Sequence, residues 1–308
     1  MNDLALDTAA PYRSDTPAGL SAHTSAYTAS AAGASTSAAV PGQSVPQLEL
    51  VNVWKRFGNG AQETVAVRNV DLRIRRGEFV TLVGPSGCGK STLFNMIAGL
   101  LPPDDDGAVL FDNVPQPDGK LLGKVAFMPQ RDLLFPWRTV LDNAILALEV
   151  EGMSRSEARR RAEAMFPEFG LSGFEKHYPQ QLSGGMRQRV ALMRTFLFER
   201  DLMLLDEPFG ALDALTRTKM QHWLLNIWAK RRRTVLFITH DIDEAIFLGD
   251  RVVVMTSRPG TIKCEEVIDL PRPRDPSLVT DPTFIAIKKR LLDVIEEESM
   301  KSFAANRA

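Results

Sequence analysis

A chain of 308 residues with 44% hydrophobic content is long enough for one large domain or two small ones, and apolar enough for a sizeable core. Its net charge of −1 excludes a global basic field that would attract nucleic acid or anionic lipid. The two cysteines, Cys88 and Cys264, exclude a disulfide framework and favour a reducing compartment.

Residues 1–47 are rich in Ala, Ser, Thr, Gly and Pro without a hydrophobic period, which predicts a disordered tail. A transit peptide is the alternative, but three aspartates against a single arginine argue against it. We expect no signal peptide, and no apolar run approaches the roughly 18 to 20 residues that span a bilayer. Ordered structure is predicted to begin near Leu48, where the residues alternate as in a strand.

The octapeptide GPSGCGKS lies between an apolar run predicted as a strand, 79–83, and one predicted as a helix, 91–98. It satisfies G-x-x-x-x-G-K-[ST], in which glycines let backbone N–H groups line a phosphate-sized concavity and the helix N-terminus adds its dipole. Lys90 would reach the β- and γ-phosphates, and the Ser91 hydroxyl would bind Mg²⁺. A purely structural glycine turn explains the full pattern poorly, so we predict a nucleoside-triphosphate site. Its residues are Gly84, Pro85, Ser86, Gly87, Cys88, Gly89, Lys90, Ser91 and Thr92.

Phe57 and Gln130 are further candidates on either side of this first helix. Phe57 ends the first strand-like segment, and its ring fits either stacking on adenine or core packing. Gln130 follows a predicted strand, 124–128, at the end where parallel sheets present ligand-binding groups; a surface loop glutamine is the alternative. The segment 133–137 is unusually apolar for a loop and fits either a docking surface or an anchor into its own domain.

Residues 139–181 show a helical pattern, which predicts an inserted helical lobe. The run Arg159 to Arg161 fits a solvated helix face better than a nucleic-acid contact at this net charge. The motif LSGGM then opens another helix. Ser183 alone would suffice as its N-cap, so Gly184 and Gly185 indicate a close approach of the backbone, for which a phosphate is the natural partner.

The apolar strand-like run DLMLLDEP ends in two acids, and its carboxyl end is expected beside the phosphate loop. Asp206 would hold Mg²⁺, directly or through water, and Glu207 would orient and polarise the attacking water. Acids at strand ends are often turn residues, but the phosphate loop favours the functional interpretation. Asp213 follows on a nearby loop. His240 ends another core strand, where we predict a γ-phosphate contact rather than a structural role.

Over roughly residues 48–270, the chain resembles the ATP-binding subunits of ABC transporters. The resemblance rests on motifs that occur in the order and approximate spacing found in that family: the phosphate loop, Gln130, LSGGM, LLDEP, ALD and His240. The resemblance implies an α/β fold: a phosphate-loop NTPase core with a mostly parallel sheet, an N-terminal antiparallel β portion and an inserted helical subdomain at about 139–195. Residues 271–308 would form a C-terminal extension with a terminal helix, whose apolar residues recur near helical spacing.

The same resemblance implies that Phe57 stacks on adenine and that Gln130 senses Mg²⁺ or the γ-phosphate and couples to the membrane partner. Glu207 resembles the catalytic carboxylate, His240 the switch histidine and Asp213 the interface aspartate. Two copies would sandwich two ATP molecules head to tail. The residues that face the γ-phosphate bound by the opposite chain would be Ser183, Gly184 and Gly185. Met186 and Gly210 are modest departures, since glutamine and serine are common there.

A single domain without fused membrane helices resembles importer subunits, and RDLLFPWRTVLDNA and RPGTI resemble the nitrate/sulfonate/taurine branch. This implies ATP and Mg²⁺, a homodimer, a separate integral membrane permease, a periplasmic or extracellular solute-binding protein, and a peripheral location at the cytoplasmic face of the inner membrane. No nucleic acid is expected. The alternatives are an importer ATPase for another small solute, a soluble ABC ATPase that acts on nucleic acid or ribosomes, and a nucleotide-gated scaffold without hydrolysis.

Overall fold

The computed structural model describes residues 45–58, 60, 63–104, 107–116 and 121–305. The predicted tail therefore lies outside the described residues, except for its last three. Strand β1 (Pro46–Phe57) begins two residues before Leu48, near which the sequence predicts that ordered structure begins. Gln47 belongs to this strand: it is 1% exposed, and its side chain accepts a hydrogen bond from the Thr234 hydroxyl.

The larger sheet has six strands: β3 (Phe79–Val83), β6 (Val125–Met128), β7 (Leu202–Asp206), β8 (Thr234–Ile238), β9 (Arg251–Met255) and β10 (Ile262–Val267). Their order in the sheet is β10-β9-β3-β8-β7-β6. Strands β6 to β9 and β3 run parallel, and β10 pairs antiparallel at one edge. The central strands are buried on both faces, which explains why they are continuous apolar runs in the sequence.

A smaller antiparallel sheet has the order β2-β1-β4-β5, with β2 (Thr64–Arg75), β4 (Ala108–Phe111) and β5 (Val114–Pro115). Its apolar residues form one buried cluster with helix α1 (Lys90–Ile97) and one face of the larger sheet. The opposite face of the larger sheet forms a second cluster with the other helices. The expectation of a mostly parallel core sheet and a separate antiparallel β portion is therefore confirmed.

Four helices lie between β6 and β7: α2 (Val140–Ala144), α3 (Leu146–Val150), α4 (Arg155–Glu163) and α5 (Gly184–Leu197). Helix α6 (Ala214–Arg231) follows β7, α7 (Ile242–Leu248) follows β8, and α8 (Pro282–Ala305) follows a short 3₁₀ turn, Pro276–Thr280. Within the described part of the chain, none of the helices combines the length and apolar character needed to cross a membrane.

Side-chain caps explain where several of these helices begin, because each cap accepts a backbone N–H that the helix leaves unpaired. Two of the caps are predicted site residues, so helix geometry fixes their positions. The capping side chains are Thr139, Ser154, Ser183, Asp213 and Asp241.

Candidate active site

The phosphate loop connects β3 to α1 and is packed tightly between β2 and β9. Gly87 and Gly89 have φ values of 75° and 105°, a region that favours glycine. A Cβ at Gly89 would lie 2.8 Å from the carbonyl oxygen of Ala66 in β2. At Gly84 it would lie 2.9 Å from the carbonyl oxygen of Met255 in β9. The glycines therefore serve both the turn and this close packing.

Lys90 places its ammonium group within this loop. The residue is 8% exposed, and its Nζ donates to the carbonyl oxygens of Gly84 at 2.7 Å and Pro85 at 3.0 Å. These neutral acceptors satisfy a buried cation only partly, and phosphate oxygens would be stronger partners for it. The lysine is thus held at the loop in a position suited to anion binding.

Asp206 ends β7, and its carboxylate faces the Ser91 hydroxyl. The aspartate is 4% exposed, and burial raises its pKa; the charge of Glu207 adds to the rise, while Ser91 and Lys90 oppose it. A divalent cation would offset the cost of this buried carboxylate. Among the described residues, no group of three or more His, Cys, Asp or Glu is arranged so that it could hold a metal ion by itself. Mg²⁺ commonly uses one or two protein oxygens besides phosphate and water.

Glu207 adopts an uncommon backbone conformation with φ of 48°. Its N–H donates to the carbonyl oxygen of Ile238 in β8 at 3.0 Å. Its own carbonyl accepts from Gln188 Nε2 at 2.9 Å and from the Gly210 N–H at 3.1 Å. Two hydrogen bonds to neighbouring elements and one within the loop therefore stabilise a conformation that costs on the order of 1 kcal/mol.

The Glu207 carboxylate brings together three of the predicted residues. Its Oε2 accepts from Gln130 Nε2 at 3.2 Å and lies 3.4 Å from His240 Nδ1. The three residues follow β6, β7 and β8, whose carboxyl ends meet at one edge of the parallel sheet. The His240 side chain is 65% exposed, so this cluster is open to a ligand.

Gln188 belongs to this site and was not among the sequence predictions. It is 7% exposed; its Nε2 holds the Glu207 carbonyl, and its Oε1 accepts from the Ala211 N–H at 2.8 Å. Gln188 thus joins α5 to the loop that follows Glu207. The sequence gives one indication of this role: Gln188 is a polar residue on a helix face whose following residues, Ala191 and Leu192, are apolar.

The LSGGM motif forms the start of α5. Ser183 Oγ accepts from the Met186 N–H at 3.2 Å, and a Cβ at Gly185 would lie 3.1 Å from Leu212 Cδ2. Gly184 lines an open cleft of about 360 Å³ together with Gln130, Arg131, Asp132, Leu133, Arg187, Gln188 and Ala211. The lining contains no residue of the phosphate loop, so within one chain this motif faces a different cleft.

Asp213 and Phe57 lie apart from the Glu207 cluster. Asp213 caps α6 by accepting from the Thr216 N–H at 3.0 Å, and this backbone hydrogen bond lowers the pKa of its carboxyl. Phe57 ends β1 opposite Thr64 and is 43% exposed. Val67, three residues further along β2, approaches Gly89 of the phosphate loop. An exposed ring at this position fits stacking better than core packing.

The apolar segment after Gln130 is partly buried in its own domain and partly exposed. Leu134 is buried, whereas Leu133 and Trp137 are 59% and 72% exposed. The Trp137 ring stacks on Phe135 with centroids 5.1 Å apart. The side-chain oxygen of the buried Asn143 accepts from the Phe135 N–H, and its two N–H donors are shared among the carbonyl oxygens of Phe135, Arg138 and Thr139. The segment is therefore anchored in its own domain and still presents an apolar surface.

This surface is also tied to α5. Arg194 donates to the carbonyl oxygens of Leu133 at 3.0 Å and Asp132 at 2.7 Å. Arg187 Nε donates to Asp132 Oδ2 at 3.1 Å. These contacts connect the apolar surface to the helix that begins within the LSGGM motif.

A parallel α/β sheet whose strand ends carry a phosphate loop, an Asp-Glu pair and a histidine defines a phosphate-loop nucleoside triphosphatase. The sequence model of the ABC transporter family matches residues 67–210. The chain belongs to this family, whose ATP-binding subunits are ATPases coupled to transport.

Curated relatives match most of the chain. The uncharacterized ABC transporter ATP-binding protein MJ0412 of Methanocaldococcus jannaschii is 44% identical, over 83% of this chain and 94% of its own length. The formylaminopyrimidine import ATP-binding protein ThiZ of Halalkalibacterium halodurans is 40% identical, over 76% and 92%. The aliphatic sulfonates import ATP-binding protein SsuB of Bacillus licheniformis is 40% identical, over 81% and 94%.

A solved structure supports the fold. The ATP-binding cassette MJ0796, in a dimeric post-hydrolysis state bound to ADP and Pi, has a TM-score of 0.67 to this chain. The two are 35% identical, and the match covers 73% of this chain and 100% of that one. The phosphate-loop NTPase fold predicted from the sequence is therefore confirmed.

Proposed function

We propose that the chain is the ATP-hydrolysing subunit of an importer that takes up a small anion, such as nitrate, an aliphatic sulfonate or taurine, through a separate permease. The observation that carries the proposal is the contact of Gln130 with Glu207, since Gln130 begins the loop that presents Leu133 and Trp137. A change at the hydrolytic carboxylate is thereby linked to an exposed apolar surface. The names of SsuB and ThiZ support a role in import. Because ThiZ is named for formylaminopyrimidine import, a heterocyclic solute is the alternative to a small anion.

In this proposal, ATP binds across the loop residues 84–92, and Phe57 stacks on adenine. Mg²⁺, held by Ser91, Asp206 and Gln130, would neutralise charge on the phosphates. Glu207 orients and polarises the attacking water, because Gln130 and His240 fix its carboxylate from two sides. His240 donates a hydrogen bond to the γ-phosphate from its exposed position. The contacts of Lys90, Gln130, Glu207 and His240 support these roles.

Two chains would share their ATP sites. Ser183, Gly184 and Gly185 form an accessible helix N-terminus with no phosphate of its own chain to bind, which suits the γ-phosphate of a partner. Asp213, also exposed, would lie at the same interface. The relative MJ0796 is dimeric in its structure. We assign residues 48–270 to the ATP-binding domain, about 139–195 to its helical subdomain, and 271–308 to the C-terminal extension.

Action on nucleic acid is less well supported, because acidic residues neutralise the basic runs. Arg159 bonds Asp142 at 2.8 Å, and Arg160 and Arg161 both bond Glu157. In the run from Lys230 to Arg233, Arg231 bonds Glu199 at 2.7 Å, with Arg233 3.6 Å from the same carboxylate. Side chains engaged in this way offer little charge to a phosphate backbone.

Affinity purification from native membranes in mild detergent tests the importer proposal. We expect the wild-type chain, bound at the cytoplasmic face of the inner membrane, to be recovered together with a multispanning permease. The solute-binding protein recovered with them should bind taurine, an alkanesulfonate or nitrate. Trp137→Ser removes the most exposed ring of the apolar surface, so it should reduce permease recovery by about tenfold or more with ATP binding unchanged.

The matched control is Val150→Ser, since Val150 is 79% exposed at the end of α3 and takes no part in that surface. Recovery of ribosomes or DNA with the wild-type chain, in place of a permease, would contradict the importer proposal and favour the soluble ATPase.

A further inference from the structure

The segment Ser257–Gly260 joins β9 to β10 and lies against the outside of the phosphate loop. Arg258 Nε donates to the Gly87 carbonyl oxygen at 3.1 Å. Gly260 is packed so closely that a Cβ there would overlap the carbonyl oxygen of Cys88. The Gly260 N–H also donates to the Ala66 carbonyl of β2 at 3.0 Å. We call this segment the brace, because it contacts the loop and the neighbouring strand together.

The brace acts on two consecutive peptide groups of the loop. A peptide group is planar and trans, so fixing its C=O also fixes the direction of the next N–H. Arg258 holds the Gly87 carbonyl and thereby orients the Cys88 N–H, while the contact at Gly260 limits the Cys88 carbonyl and hence the Gly89 N–H. Both N–H groups belong to the stretch that is predicted to cradle the phosphates.

The C-terminal helix α8 holds the brace in turn. Glu298 is 2% exposed, and its Oε2 accepts from the Ser257 N–H at 3.2 Å. Its other oxygen pairs with Lys263 at 3.1 Å and Lys301 at 2.8 Å, so the buried charge is compensated. A chain of direct contacts therefore runs from α8 through Ser257 and Arg258 to the phosphate loop.

We propose that Arg258 and Glu298 are positioning residues for ATP, and that the C-terminal extension tunes nucleotide affinity through them. Neither residue needs to touch the nucleotide. They preorganise the amides that do, so their loss weakens the binding of ATP while hydrolysis at saturating ATP is largely retained. The proposal rests on the ATP-binding role of the loop and adds a part for the extension.

Arg258→Met keeps the bulk of the side chain and removes the donor, so the ATP Kd and KM should rise by about tenfold, with kcat within about twofold of wild type. Arg258→Lys retains a donor and should restore much of the affinity. Glu298→Ala should weaken ATP binding by about fivefold. The affinities are measured on the full-length chain by displacement of a fluorescent ATP analogue.

Glu297→Ala is the matched control, because Glu297 contacts the same two lysines at 3.4 and 2.6 Å but is not hydrogen-bonded to the Ser257 N–H. It should leave the ATP Kd unchanged. Cys88, which is 1% exposed, provides a second readout: its alkylation, followed by mass spectrometry, should be faster in Arg258→Met than in wild type and slowed by ATP.

The outcomes separate this proposal from the ATPase assignment. If the wild-type chain itself binds no ATP, the assignment of the loop fails. If the wild-type chain binds ATP and Arg258→Met binds it equally well with Cys88 equally protected, only the positioning role is refuted. Equal losses in Glu297→Ala and Glu298→Ala would show a general effect of charge on α8 and would also overturn it.

Discussion

Glu207→Gln is expected to lower ATP turnover by at least about a hundredfold while ATP affinity stays within about threefold of wild type. The amide has the shape of the carboxylate and still accepts from Gln130, so the loop that follows β7 keeps its geometry. What is lost is the negative charge that polarises the attacking water. Nucleotide should therefore bind without being cleaved, and the ATP-bound dimer should accumulate.

Turnover is measured as phosphate release at saturating ATP. Dimer formation is measured as the elution volume in size-exclusion chromatography with and without ATP. Glu199→Gln is the matched control, because Glu199 precedes β7 at the end of the strand opposite to Glu207 and pairs with Arg231 at 2.7 Å. It should keep wild-type turnover. Turnover by Glu207→Gln close to the wild-type value would remove Glu207 from the catalytic role.

Lys90→Ala is expected to weaken ATP binding by about a hundredfold, because charge-assisted hydrogen bonds to phosphate are each worth about 1.5–3 kcal/mol. Within the loop the ammonium donates to the carbonyl oxygens of Gly84 and Pro85 and, at 3.7 Å, to the sulfur of Cys88. Its replacement removes one donor from each of these carbonyl groups, but the Pro85 carbonyl still accepts from the Cys88 N–H at 3.4 Å, and no ion pair with a described acidic residue is lost. The loss should appear in nucleotide affinity more than in thermal stability.

The ATP Kd and the thermal unfolding midpoint, both measured on the full-length chain, check this expectation. Lys124→Ala serves as the control: Lys124 precedes β6 at the other end of the sheet and bonds Gln116 at 2.9 Å. Normal ATP affinity in Lys90→Ala would contradict the assignment of the phosphate loop.

Much of the fold was accessible from local patterns. Each central strand is a short apolar run followed by a polar residue, and parallel pairing places such residues at one edge of the sheet. This pattern predicts that Gln130, Glu207 and His240 lie close together, and in the structure both partners lie within 3.4 Å of the Glu207 carboxylate. Their roles in hydrolysis stay predictions.

The remaining features depend on contacts between distant parts of the chain. Gln47 bonds Thr234 across 187 residues, and this pairing moves the start of β1 ahead of the apolar pattern. Gln188 and Asn143 are polar residues on helix faces that the surrounding apolar residues predict to be buried. Their structural role becomes visible only in the fold, where each is hydrogen-bonded to backbone groups of a neighbouring loop. Arg258 follows the last parallel strand, and the residues around it in the sequence do not indicate that it contacts the phosphate loop.

The central claim is that two chains build shared ATP sites, and mixing two inactive variants tests it most directly. Gly184→Asp adds a negative charge at the start of α5, where a Cβ meets only the far end of Arg187 at 3.8 Å, so the fold should tolerate it. Gly184→Ala is the uncharged control and should stay active. The partner in the mixture is Lys90→Ala.

We expect each variant alone to be nearly inactive and an equimolar mixture to regain about a quarter of wild-type ATPase activity, because half of the dimers are mixed and each holds one intact site. A double variant that carries Lys90→Ala and Gly184→Asp in the same chain should form dimers that are inactive. No recovery in a mixture that still dimerises, or full activity of Gly184→Asp alone, would contradict the shared site.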